Sequence, residues 1–156
     1  MRTIFSFESA IGGGSQPPGR ELVMLLFGAI QAIGRSVHEP TGRHAVWTTT
    51  CQVDGQSLFV LLQELVEAEE LYRRHFEAER LSEGAPAKEH LQEVRTWVGT
   101  TGRNFELWSR LLGRGDGPLS RLCAALDSVL QSNGGIRNLR WYTEQEWVEH
   151  NSRARP

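Results

Sequence analysis

Between Leu22 and Ile33 the chain is apolar almost all the way round a helix, with Leu22, Leu26, Ile30 and Ile33 near helical spacing and Val23, Leu25, Phe27 and Ala29 filling the other sides. A segment of this kind must be covered by the rest of the protein. It is about a dozen residues long, whereas a membrane span needs about 20, so it predicts a central buried helix over 20–37 rather than a spanning one. The stretch before it is long, carries Glu8 and a Pro17-Pro18 pair, and does not read as a secretory leader.

Other elements are placed around that helix. Residues 2–8 combine β-formers with Ile4, Phe5 and Phe7 and predict a strand. The run from Gly12 to Gly19 predicts a loop. Residues 44–53 are rich in Val, Trp and Thr and predict a second strand, followed by a turn at Asp54-Gly55. Leu58, Leu61, Leu62, Leu65, Ala68, Tyr72 and Phe76 read as the buried stripe of a long helix over 56–81, with Glu67, Glu70, Arg74 and Glu77 on its far side. Two shorter helices are expected at 87–98 and 103–112, separated by Gly99-Thr100-Thr101-Gly102. Leu119, Leu122, Cys123, Leu126 and Leu130 form a clean amphipathic stripe that starts at Pro118 and stops at Asn133-Gly134-Gly135. The tail alternates Leu139 and Trp141 with polar residues over 136–142, as in a short strand, and Thr143 with Glu146 matches a capping box for a helical turn through His150.

Taken together these elements predict an α+β fold: one mostly helical domain over 1–156 with five to six helices and a small sheet of two to three short strands. At 156 residues the chain is near the usual size of one domain, and no repeat or linker divides it.

The sequence holds several incomplete chemical motifs. Gly14 to Gly19 has the spacing of a phosphate-binding loop, but Arg20 and Glu21 replace the lysine and hydroxyl residue that would hold phosphate and magnesium. Glu64, Glu67 and Glu70 stand at i, i+3, i+6, yet a divalent cation needs a second acidic pair from a facing helix, and no such pair is evident. The histidines at 38, 44, 75, 90 and 150 lack zinc or di-iron spacing. Cys51 and His44 fall an odd number of residues apart and should face opposite sides of a strand, so no nucleophile–base pair is expected. No catalytic residue, metal or cofactor is assigned, and the balance leans away from an enzyme.

The tail offers the remaining cluster: Arg137, Arg140, Tyr142 and Trp147 are candidate partner-binding residues, since Arg, Tyr and Trp combine large contact area with hydrogen-bonding tips. Trp141 is expected to point into the core from the opposite side of the strand. The net charge of −2 gives no general attraction to nucleic acid or anionic membrane, and Glu144, Glu146 and Glu149 beside the arginines oppose a phosphate backbone. The expected function is that of a small cytoplasmic binding protein, of the immunity, inhibitor or adaptor kind, acting on another protein. Two cysteines are too few for a disulfide framework and fit reduced thiols. Two alternatives stand beside it: an accessory subunit of a nucleic-acid complex using Arg103, Arg110, Arg114, Arg121, Arg137 and Arg140, and a metal-dependent hydrolase using the acidic helix.

Overall fold

The computed structural model describes residues 1–11, 18–34, 40–43, 46–66, 76, 94–104 and 117–153. In chain order these form β1 (Ile4–Ser9), α1 (Arg20–Ile33), β2 (Thr41–Arg43), β3 (Val46–Val53), β4 (Gln56–Glu64), β5 (Arg95–Arg103), α2 (Gly117–Ser132), β6 (Ile136–Tyr142) and α3 (Glu144–Arg153). The strands make one antiparallel sheet in the order β2-β3-β4-β5-β1-β6. The connection through α1 leaves β1 and passes over β5, β4 and β3 to reach β2, while α2 carries the chain from β5 across β1 to β6. Two interleaved crossovers of this sort make a split β-α-β arrangement, here widened by a β2-β3-β4 meander.

The expected mostly helical fold is therefore corrected. Helix and strand are about equal among the described residues, with three helices and six strands. The difference lies in the short β2, which the sequence pattern does not predict, and in two segments that read as helix. Residues 56–64 are a strand, because Asp54 and Gly55 both take positive φ, 50° and 78°, closing a two-residue hairpin whose twist matches the flanking strands. Once β4 pairs with β3 the pattern is period two: Leu58, Val60 and Leu62 are buried on one side, with Phe59 and Leu61 half-buried between them. Residues 95–103 are also a strand, and Gly99 and Gly102 lie inside it rather than breaking it. Each glycine sits opposite a phenylalanine ring, Phe5 facing Gly99 and Phe59 facing Gly102. A Cβ at Gly102 would come within 2.6 Å of the Phe59 ring, and one at Gly99 would run into Phe5, so the missing side chains are the sockets for those rings. Residues 67–75 and 77–81 of the helix expected over 56–81, 87–93 of that expected over 87–98 and 105–112 of that expected over 103–112 lie outside the described residues.

The remaining elements follow the sequence pattern. Helix α1 buries Leu22, Val23, Leu26, Phe27 and Ile30 and ends where the Gly34 N–H donates to the Ile30 carbonyl at 2.9 Å. Helix α2 buries Leu119, Leu122, Leu126 and Leu130. Both helices cover one face of the sheet. Across that face runs a row of register partners, Trp47, Leu62, Gly99, Phe5 and Trp141, one from each of five strands. Trp141 lies 4.7 Å from the Phe5 ring and donates its indole N–H to Asp127 of α2 at 2.8 Å, which ties β6 to the helix layer. At the far end of the same face the Arg95 guanidinium meets the Glu64 carboxylate at 3.5 Å, with side chains 11% and 2% exposed.

Candidate functional site

Among the described residues strand β6 is an edge strand, paired with β1 alone. Alternation along it separates the tail residues. Trp141, opposite Phe5, faces the helix layer, so its neighbours Arg140, opposite Ser6, and Tyr142, opposite Ile4, face the other side. The register slips between Ser6 and Glu8, and Asn138 takes a left-handed φ of 55° at that irregularity, where its side-chain amide donates to Glu8 at 2.9 Å. Asn tolerates this conformation better than most residues.

Helix α3 returns across the second face of the sheet at this corner. Its start is a complete capping box: the Glu146 N–H donates to the Thr143 hydroxyl at 3.1 Å, and the Thr143 N–H donates to the Glu146 carboxylate at 2.8 Å. Arg2, brought alongside by β1, adds a bond to the same carboxylate at 3.1 Å. The Thr143 N–H first, and then Arg2, hold the Glu146 carboxyl below the usual carboxylate range. No residue of α3 is buried. It is held instead by an aromatic trio, with Tyr142 5.2 Å from Trp147 and 5.4 Å from His150, and Trp147 6.0 Å from His150, as ring centroids.

Between α3 and β6 lies an open groove of about 500 Å³, lined by Arg2, Arg140, Trp141, Tyr142, Glu146, Glu149, His150 and Arg153. The four candidate partner-binding residues are thus placed as follows. Arg140 and Tyr142 line the groove directly, Trp147 backs it through Tyr142, and Arg137 is exposed farther along β6 beside the Asn138 irregularity. Arg137, Arg140 and Arg153 are exposed and make no ion pair among the described residues. Sequence reasoning missed Arg2, Glu149, His150 and Arg153. The capping box implied part of this set, because a helix starting at Glu144 carries His150 one turn beyond Trp147. Nothing local implied Arg2, which arrives only because β1 is the neighbour of β6.

The other motifs lose their chemistry in place. Glu64 is a strand residue paired with Arg95 rather than the first of three helical carboxylates, and Glu67 and Glu70 lie outside the described residues. Among the described residues no group of His, Cys, Asp and Glu is arranged to hold a metal ion. Gly19 packs on the Trp97 ring, and the preceding Pro18 carbonyl accepts the Trp47 indole N–H at 2.9 Å, so the entry to α1 rests on tryptophan; Gly14 to Pro17 are outside the described residues. Cys51 and Cys123 are free. Burial pushes the Cys51 thiol up to about 11, which leaves almost no thiolate at neutral pH, and His44 is not among the described residues. Burial raises the Cys123 thiol as well, against a contact with the Thr101 hydroxyl at 3.3 Å.

Of the six arginines considered for nucleic acid, Arg110 and Arg114 lie outside the described residues. Arg121, on the helix layer, is clamped on Asp54 at 2.6 and 2.7 Å, whereas Arg137 and Arg140 face the opposite side of the sheet. No helix among the described residues is long and apolar enough to cross a membrane. No family model matches the chain, and no curated protein and no solved structure matches it. Function is therefore argued from the site rather than from likeness.

Proposed function

We propose that this is a cytoplasmic binding protein of the immunity, inhibitor or adaptor kind, which recognises another protein through the corner formed by β6 and α3. The observation that carries the reading is the groove itself: an open depression beside an edge strand, lined by Tyr142 and His150 with Trp147 behind them, and by Arg140 and Arg153, which make no ion pair among the described residues. Aromatic and Arg side chains gathered in one place are the usual anchors of protein interfaces. Two free cysteines, both with raised thiols, suit the reducing compartment.

The test is a photo-cross-linking residue placed at Arg137 or Tyr142, with wild-type protein and the Arg140→Glu and Trp147→Ala variants as competitors. A specific adduct should be competed by wild type, whereas the variants should compete about 30-fold less well, corresponding to roughly 2 kcal/mol at an interface anchor. A partner that both variants displace as efficiently as wild type would remove the site from this corner.

A further inference from the structure

We infer that β6 takes up an extended, acidic segment of the partner protein as a seventh strand, with the carboxylates of that segment over Arg140, Arg153 and His150. The inference rests on the reading of this corner as a binding surface and adds a mode and a chemistry to it. An antiparallel edge strand turns every second N–H and C=O away from its neighbour, and among the described residues β6 has a neighbour on one side only. No residue of β6 is buried. The irregularity at Asn138 interrupts the first half of the strand, leaving Leu139 to Tyr142 as the regular stretch, and that stretch borders the groove. Side chains of an added strand would alternate between the helix layer and the groove, where alternate acidic positions meet the cationic lining.

Charge decides the occupant. With Arg2 paired to Glu146, the groove leaves Arg140 and Arg153 against Glu149, with His150 beside them as a further hydrogen-bonding group. A second copy of this chain is disfavoured at the same edge, because two β6 strands paired antiparallel would gather Arg137 and Arg140 of both copies along one seam, and like charges brought together across strands are destabilising. Nucleic acid is disfavoured by Glu149 in the groove and Glu8 beside Arg137.

The experiment uses three synthetic peptides: one alternating Glu with Val or Thr, its Lys-for-Glu counterpart, and the Glu peptide N-methylated at alternate backbone nitrogens. Amide chemical shifts of the protein report the site, and fluorescence anisotropy reports affinity. The Glu peptide should shift amides of Leu139 to Tyr142, and both backbone methylation and Arg140→Glu should weaken it about tenfold or more, with the melt of Arg140→Glu unchanged. Equal binding of the Lys peptide, indifference to N-methylation, or no shift at β6 overturns the acidic-strand inference. None of these results touches the cross-linking test above, which requires neither backbone pairing nor an acidic partner. Stronger shifts of the same amides by single-stranded oligothymidylate, or a dimer in sedimentation that Arg137→Glu tightens, would replace the inference with nucleic acid or a second copy.

Discussion

Helices α2 and α3 each cross the sheet next to β6, and they are held in opposite ways. Helix α2 buries four leucines against the sheet, while α3 buries no residue and rests on ring contacts, a capping box and one exposed ion pair. The two ion pairs repeat the contrast: Glu64–Arg95 is almost wholly enclosed, whereas Arg2–Glu146 has side chains 62% and 42% exposed. A helix of ten residues is marginal alone in water, so α3 owes its order to the few contacts at its start and along one side. Stability is concentrated under α1 and α2, and the groove sits where removing a side chain disturbs the fold least.

That contrast can be broken at the enclosed pair first. Arg95→Met should take the guanidinium away from the enclosed Glu64 carboxylate and cost about 3–5 kcal/mol in urea unfolding. A loss below about 1 kcal/mol would mean the pair behaves as a surface one. The tryptophans give a direct comparison within the tail. Trp141→Ala should cost about 3 kcal/mol, since it removes the Phe5 contact and the indole bond to Asp127, leaving that carboxylate only the Gln131 amide. Trp147→Ala should stay within about 1 kcal/mol, as for other partly exposed positions. Equal, severe destabilisation by both would make α3 part of the scaffold.

A smaller effect is expected at the start of α3, where Thr143→Ala removes the side-chain cap and should cost about 1 kcal/mol of helix stability, read as faster amide exchange confined to α3. The smallest is a pH effect. Because the folded carboxyl of Glu146 titrates below its unfolded value, its contribution is complete above the ordinary carboxylate range and fades as pH falls through the lowered folded value. Trp147 fluorescence should then change on acidification before global unfolding, and Glu146→Gln should abolish that early change. If the early change survives in the variant, the cap is not its source.

Six individual elements were legible in the sequence, but the six-stranded sheet that joins them was not. β1, α1, β3, α2, β6 and α3 each carry one dominant period or a terminal signal, such as Pro118 at the start of α2 and Thr143 with Glu146 at the start of α3. β4 was not legible because its apolar run from Leu58 to Leu62 is continuous, and Leu58, Leu61, Leu62 and Leu65 fit helical spacing as well as a strand. The deciding clue was Asp54-Gly55, a two-residue hairpin signal that outweighs the leucine spacing only when the β-branched run before it is given a partner. In β5 the two glycines read as breaks, since nothing near them in sequence reveals the phenylalanines they receive. The candidate site was half legible for the same reason. Alternation set Tyr142 and Trp141 on opposite sides, but the Arg2 contribution depends on a strand pairing that spans nearly the whole chain, 144 residues from Arg2 to Glu146.

The socket at Gly99 has a temporal meaning during synthesis. Phe5 leaves the ribosome more than ninety residues ahead of its receptacle on β5, and still further ahead of its other neighbour on β6. Until then β1 is a nascent strand with two exposed phenylalanine rings and no edge to join. Pairings this distant in sequence close slowly, and unpaired apolar strands are the segments on which unfinished chains aggregate. β1 therefore locks into the sheet only after β5 and β6 have been made, and a chain interrupted before β5 would carry its phenylalanine strand unpaired.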